Sequence, residues 1–513
     1  MSVRRILRAM GKDRETGWRF TIVLCLVYLA YLVWMHVHHE MWRDEVHAWT
    51  LARVANGFWD LVTGDRIYEG HPPLWFWYLR VWSWFVEAAW GIQAATVAAA
   101  GAAAVLFVRF APFPRYLKVL ALFSFYLGFE YTVMSRNYVL GWLCVCLFCA
   151  LYHPLRVRHL GLALALALMS LTSVFGLIMS IFLLGFLVLD QVSLSLTTSR
   201  TSPPARLALV ASPWLIVTVV SVLGTMLFCV LTIDPPDPNP FSPGFWFWAL
   251  TPKSVLDMLF RFMAGFLPWR SFSPDAMFST YALSHDRALW VNEFLGVTVL
   301  VLALLSLARS WRLLLVYLGA VATMDVFMSV RWDGSLRHWG HFMMLLVAEC
   351  WLLRTTFPRR KHWVSTVFVS AALVFQLGAA AASVVVDTKE VFSGGRDTAA
   401  FIVRAKLQDL PIVAGPEFAA DTVAGYLRRP FYTHETEEFN QTVVFHGRRK
   451  NFSAAELVKR SVEVARERQS PVLLIATQPL PDPPPGSART LLFSSRPGVI
   501  TEEVFQVYRV EAR

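Results

Sequence analysis

The chain has 513 residues, of which 56% are hydrophobic and 16% are charged, and its mean hydropathy is +0.48. This composition is too apolar for a soluble globular protein and predicts a polytopic α-helical membrane protein. The net charge of +11 does not indicate a nucleic-acid partner, because the Lys and Arg residues are dispersed among short loops between apolar runs. The six cysteines lie inside apolar runs and indicate neither a disulfide framework nor a thiolate metal site.

A basic segment precedes the first apolar run. Lys and Arg residues recur between Arg4 and Arg14, the apolar run covers about residues 18–35, and no small-residue cleavage site follows it. We therefore expect an uncleaved first span whose basic end stays in the cytoplasm. Short loops and the absence of a eukaryotic sorting signal favour a bacterial inner membrane.

The basic loops orient the later apolar runs, because Lys and Arg are enriched on the cytoplasmic side. The run 73–90 is crowded with Trp and Tyr, which predicts a juxtamembrane helix in the interface. The run 160–189 is too long for one ordinary span and is divided at Thr172-Ser173. About eleven crossings result. The predicted spans are 18–35, 92–109, 116–133, 137–152, 160–189 as two short spans, 208–232, 289–308, 312–330, 339–354 and 363–386.

The tail differs in character from the rest of the chain. Residues 387–513 are charged, contain no spanning run and alternate apolar stretches with helical patterns. The sequence thus predicts a transmembrane domain over 1–386 and a small α/β domain over 387–513, on the extracytoplasmic side.

Two polar motifs lie in the first outer loop. Asp44 and Glu45 follow the first span, and His71 begins a His-Pro-Pro sequence that leads into the aromatic run. Carboxylates at the lip of a membrane are costly, which indicates a function, although an acidic pair can also cap an interfacial helix. His71 either orients a donor phosphate or simply ends the loop with a rigid turn.

Two later turns, 130–138 and 331–338, are predicted to face the same side. Their arginines present a fork that fits phosphate oxygens. Each arginine could instead snorkel to the interface or form a structural ion pair, for instance Arg136 with Glu130. The candidate substrate-binding residues of these turns are Arg136, Tyr138, Arg331, Arg337 and His338.

An enzyme at the outer face has no ATP or nucleotide sugar, so a transfer there needs a donor already activated in the membrane. A polyprenyl-phosphate sugar meets this need, and its apolar tail would lie among the helices and lipids. The chemistry requires a carboxylate base, cations for the leaving phosphate and a groove open to lipid. Asp44 or Glu45 can supply the base. The histidines at 36, 38 and 39 match no standard metal-ligand spacing.

The acidic pair, the Gly70-His71-Pro72-Pro73-Leu74 sequence, and Glu130 with Arg136 and Tyr138 resemble a known pattern. In this order they are similar to the GT-C superfamily of membrane glycosyltransferases, in particular the branch with protein O-mannosyltransferases and lipid A aminoarabinose transferases. The resemblance covers roughly residues 1–200.

The resemblance implies that Asp44 is the catalytic carboxylate and that Glu45 helps to position substrate. It also implies a polyprenyl-phosphate donor, inversion at the sugar carbon and a site at the outer face under juxtamembrane helices. Some members use a divalent cation and others do not, so a cation is an open expectation. The chain departs from the pattern at Trp42 and Arg43 before the pair and at His47 after it.

Three functions follow as hypotheses. The leading one is an inverting glycosyltransferase that acts on a hydroxyl of a glycan, lipid or protein. A lipid-linked glycan transporter or flippase is the alternative, against which stands the gathering of charges at one face rather than at mid-membrane. A third is an assembly factor whose tail is the working part.

Overall fold

The structure is a computed structural model that describes residues 17–64, 68–154, 158–198, 213–233, 252–269, 289–332, 334–445 and 449–512. The basic N-terminal segment and most of residues 233–288, which lie between two predicted spans, are outside these residues. The helices are α1 (Trp18–His38), α2 (Arg43–Val54), α3 (Asp60–Thr63), α4 (Leu74–Ser83), α5 (Gly91–Phe110), α6 (Arg115–Leu122), α7 (Tyr138–Leu151), α8 (His159–Ser170), α9 (Val174–Thr198), α10 (Pro213–Ile233), α11 (Pro252–Phe266), α12 (Leu289–Leu307), α13 (Trp311–Val330), α14 (Leu336–Thr356), α15 (Trp363–Lys389), α16 (Gly395–Arg404), α17 (Glu417–Leu427) and α18 (Ala454–Arg468).

Helices form most of the described structure, and several of them are long and apolar. Among the described residues, six helices are long and apolar enough to cross a bilayer, namely α1, α5, α9, α10, α13 and α15. The prediction of a polytopic helical membrane protein is thus confirmed. Several further helices in the bundle are shorter or less apolar, so the count of about eleven crossings and the side on which each end lies stay predictions.

Two local features of the predicted spans agree with the structure. Helix α4 has only 10 residues, about half of what a span requires, as expected for a juxtamembrane helix. The long run at 160–189 is broken where predicted, because α8 ends at Ser170 and α9 begins at Val174. The Ser173 hydroxyl accepts a hydrogen bond from the backbone N–H of Gly176 at 2.9 Å and so helps to start α9.

One predicted span has a different form. Instead of a continuous helix over 116–133, α6 ends at Leu122 and a π-helical turn follows at Tyr126–Glu130. The turn is tight, since a Cβ on Gly128 would lie 2.9 Å from the backbone carbonyl carbon of Phe123. Hydropathy does not report such a break, because the residues on both sides of it are apolar.

The described tail forms a small α/β domain. Its strands are β1 (Ile412–Gly415), β2 (Phe431–Tyr432), β3 (Phe439–Asn440), β4 (Val472–Ala476), β5 (Ser487–Ser494) and β6 (Gln506–Ala512). They form one sheet in the order β3-β2-β1-β4-β6-β5, in which β1 is parallel to β2 and β4, and β6 is antiparallel to both β4 and β5. Strands β1 and β4 are buried on both faces, which explains their continuous apolar sequence.

The domain packs directly on the first loop of the bundle. Helix α2 lies against α17, and their approach is so close that a Cβ on Gly425 would clash with the Val46 side chain. The backbone N–H of Arg43 donates to Glu503 of the domain at 3.0 Å. We call the surface of the bundle that carries α2 and the domain the domain face.

Candidate functional site

A cavity of about 900 Å³ lies between the bundle and the C-terminal domain. The bundle contributes the start of α2, the loop before α4 and the starts of α7, α9 and α14, whereas the domain contributes the opposite wall. Of the sequence-predicted candidates, the described lining includes Asp44, His71, Arg136, Tyr138, Arg337 and His338.

Asp44 is held between two arginines. Its Oδ2 atom lies 2.7 Å from Arg136 Nη1 and 3.4 Å from Arg337 Nη1. The three side chains are only 14% to 24% exposed, so they face a restricted space rather than open solvent. Residues separated by 92 and 293 positions from Asp44 thus meet at one carboxylate.

The arginines control the charge of Asp44. Burial by itself raises the pKa of this carboxyl, but Arg136, Arg337 and Arg43 lower it more strongly, so its pKa lies below its ordinary value. Asp44 is therefore an anion that neutralises two cations. A ligand phosphate could compete for the same guanidinium groups.

Glu45 points elsewhere. Its side chain is fully buried, does not line the cavity, and accepts hydrogen bonds from Ser135 N at 2.6 Å and His39 Nε2 at 3.0 Å. It also accepts from Trp42 N at 3.3 Å, three residues earlier, and this is a helix-capping contact of the kind that an acidic pair can make. The structure thus separates the acidic pair into a cavity residue and an anchoring residue.

His39 completes this anchor. Its second ring nitrogen donates to Asp387 Oδ1 at 2.8 Å, so both N–H groups face carboxylates. Burial lowers the pKa of His39, but Asp387 and Glu45 outweigh burial and raise it to about 10. The other two histidines of the cluster have separate partners, His36 with Thr132 O and His38 with Trp34 O. Among the described residues no group of three or more His, Cys, Asp or Glu side chains could hold a metal ion.

A second histidine between carboxylates lies at the cavity wall and was not singled out as a site residue from the sequence. His47 donates to Asp421 Oδ2 at 2.6 Å and to Glu69 Oε1 at 2.8 Å. Burial lowers its pKa, but Glu69 and Asp421 prevail and raise the pKa well above the ordinary value. Glu69 lies two residues before His71, so the Glu-Gly-His-Pro-Pro sequence could have indicated that Glu69 lies near the site. No sequence feature indicates Asp421, the partner in the domain.

His71 has the opposite character. Burial and the nearby Arg136 lower its pKa to about 4, so the ring is neutral at physiological pH. A neutral imidazole can donate or accept a hydrogen bond at the cavity wall without adding charge.

Tyr138 and His338 form a hydrogen-bonded pair. The backbone N–H of Ser335 donates to His338 Nδ1 at 2.9 Å, which leaves the ring proton on Nε2. This Nε2–H donates to the Tyr138 oxygen at 2.7 Å, so the hydroxyl hydrogen of Tyr138 is not used in this hydrogen bond. Arg331, from the same turn as Arg337, does not line the cavity.

The domain wall combines acidic, basic and aromatic side chains. Arg449 Nε lies 2.8 Å from Glu417 Oε1, and the neighbouring Glu435 lines the cavity. Burial raises the pKa of Glu417 to about 7 despite the opposing effect of Arg449. The aromatic residues of this wall are Phe418, Phe445 and Phe452. None of these residues carried a signal in the sequence.

No family model matches this chain, and no curated protein or solved structure matches it either. The arrangement itself offers an anionic carboxylate, two guanidinium groups, a phenol hydroxyl and a neutral imidazole around one space. Such a set can bind a phosphate and accept a proton from a neighbouring hydroxyl.

Proposed function

We propose that the protein is an integral-membrane glycosyltransferase that moves a sugar from a polyprenyl-phosphate donor to an acceptor hydroxyl, with inversion at the sugar carbon. The observation that supports it most is the placement of Asp44 between Arg136 and Arg337 at a cavity beside apolar helices. A base and a phosphate site at one point are what this reaction needs.

The donor phosphate would replace Asp44 as the partner of the two arginines. Guanidinium groups bind phosphate oxygens with paired N–H donors, and the Tyr138 O–H can add a third contact. The polyprenyl chain would extend from the cavity into the bilayer. We infer that the domain face is the extracytoplasmic side of a bacterial inner membrane. Determining the side on which the C-terminal domain lies would test this inference.

Donor binding would also activate the base. When Arg136 and Arg337 turn to the phosphate, the influence that lowers the pKa of Asp44 weakens and its proton affinity rises. The acceptor oxygen then forms a bond to the anomeric carbon as the bond from that carbon to the phosphate oxygen breaks. The hydroxyl proton goes to Asp44, and the electron pair leaves on the phosphate held by the arginines.

The acceptor would enter along the domain wall. The bundle and the domain line opposite sides of the cavity, so an acceptor bound to Phe418 or Phe445 faces the Asp44 side. Glu435 and Arg449 add polar groups for hydroxyl recognition. In this proposal the C-terminal domain binds the acceptor as well as bracing α2.

The decisive experiment measures sugar release and transfer by purified protein in detergent with a panel of polyprenyl-phosphate sugars. Asp44→Asn should lower the rate by about two orders of magnitude or more, since it removes the base but keeps the shape. Asp409→Asn, at a carboxylate that is 86% exposed, is the matched control and should retain the rate. Equal rates for wild type and Asp44→Asn would refute the assignment of the base.

The transporter alternative gains one observation from the structure. Arg261 and Asp325 form a buried ion pair at 2.9 Å between α11 and α13, and Glu349 is fully buried in α14. Ionisable groups inside a bundle often mark a transport path. Translocation of a fluorescent lipid-linked sugar in liposomes, undiminished in Asp44→Asn and abolished in Asp325→Asn, would favour this alternative.

A further inference from the structure

A second cavity, of about 1030 Å³, lies between α1 and α5. Its described lining shares no residue with the cavity around Asp44. Along α5 it extends from Gln93 to Val105, which corresponds to about 18 Å at 1.5 Å per residue. This length is close to the depth of one leaflet, which is half of a hydrocarbon core of about 30 Å.

The walls of this groove are apolar and follow small residues of α5. Ala98 and Ala102 are exposed along it, and at Gly101 the two helices approach so closely that a Cβ would lie 2.9 Å from Leu29 Cδ2. A groove of this kind between spanning helices has to be filled by hydrocarbon, because water is unfavourable there. The apolar lining residues of the two helices include Leu29, Val33, Val37, Val97 and Val105.

The end of the groove at the domain face is polar and basic. The domain contributes Arg396 and Arg428, whose side chains are 42% and 46% exposed. Each forms one ion pair, with Glu40 at 3.0 Å and with Glu87 at 2.9 Å. A guanidinium group carries five N–H donors, so each arginine keeps donors for a further anion. Trp90 stands at the same end, 56% exposed, as expected for an aromatic residue at the interface.

We propose that this groove binds a membrane phospholipid, with one acyl chain between α1 and α5 and the phosphate at Arg396 and Arg428. The apolar depth of one leaflet matches an acyl chain, and the two arginines match the phosphate diester. Helix α17 contacts both cavities, because Asp421 lines the cavity around Asp44 and Tyr426 lines this groove. The Tyr426 hydroxyl also donates to Met41 O at 3.4 Å. The lipid therefore also fastens the domain to the bundle. This inference does not depend on the transferase proposal.

The test is native mass spectrometry of the full chain, delipidated in detergent and titrated with phosphatidylglycerol or with a phosphate-free diglucosyl diacylglycerol of the same acyl chains. Wild type should bind phosphatidylglycerol at least about tenfold more tightly than the glycolipid. The Arg396→Gln/Arg428→Gln double variant should lose about tenfold in phosphatidylglycerol affinity and bind the glycolipid as wild type does. Ala98→Phe, which fills the groove from an exposed position, should weaken both lipids.

Two matched control variants change residues outside the groove and so detect effects on lipid binding that are not specific to it. Arg509→Gln removes an arginine that is 44% exposed and paired with Glu511, and Ala371→Phe adds a ring to an exposed alanine of α15 outside the groove. Both should bind lipid as wild type does. Equal affinity of wild type for the two lipids, or unchanged binding by Ala98→Phe, would overturn the proposal. A dimer that Ala98→Phe dissociates would also overturn it and assign the groove to a second copy of the chain.

Discussion

Replacing Arg337 by Gln should move the acid limb of the pH-rate profile to higher pH. Asp44 must be ionised to accept a proton, so kcat/KM falls as the pH drops through the pKa of Asp44 in the free enzyme. In wild type the arginines hold this pKa below its ordinary value of 3.8, so the limb lies below about pH 4. The substitution removes one of these cations and raises the pKa.

The size of the shift follows from the distance. A pair of unit charges at the 3.4 Å that separates Arg337 Nη1 from Asp44 Oδ2 interacts by about 1 kcal/mol in water-like surroundings. Both side chains are mostly buried, so the water-like value is the lower limit of the interaction. One pKa unit corresponds to about 1.4 kcal/mol, and we therefore expect the acid limb to move upward by at least about 0.7 pH unit.

The assay is sugar release from the donor as a function of pH, with kcat/KM fitted at each pH. Arg337→Gln will also weaken donor binding, which lowers the whole profile, but the position of its acid limb reports only the base. Arg331→Gln is the matched control, since Arg331 belongs to the same turn but does not line the cavity. An acid limb that stays at the wild-type pH in Arg337→Gln would refute the electrostatic coupling of this pair to the base.

Three further predictions concern stability. His39→Gln should lower the stability by about 3 to 5 kcal/mol, because it leaves Glu45 buried without its cation. The pKa of His39 is raised to about 10, so this stabilisation is complete below pH 6.5 and is lost as the pH rises toward 10. Thermal melts of wild type and variant across pH 6 to 10 would test this dependence. Glu349→Met should raise Tm, because neither carboxyl oxygen of Glu349 has a hydrogen-bond partner among the described residues. An unpartnered buried polar group costs about 1 to 3 kcal/mol, so a lower Tm in the variant would contradict this reasoning. Gly128→Ala should lower Tm through the contact with the Phe123 backbone, whereas Gly378→Ala, which meets no atom within 4 Å, serves as its control.

The sequence by itself determined the class of the protein and much of its local layout. Hydropathy is a sum of transfer free energies along the chain, so it located the long apolar helices, the short aromatic helix α4 and the break at Thr172-Ser173 without any tertiary information. The sequence also predicted an α/β domain in the charged tail, because alternating apolar stretches and helical patterns are local features of a sequence.

Only the tertiary structure decided which polar residues meet. Asp44 and Glu45 are neighbours with the same chemistry, but successive residues of a helix point about 100° apart, so one enters the cavity and the other joins His39. The residue type alone indicates Arg337 as a phosphate partner, and its contact with Asp44 across 293 positions depends on how the bundle brings the start of α14 beside α2. The partners of His47 in the domain, and the whole domain wall of the cavity, arise from the packing of α17 on α2, which no pattern along the chain records.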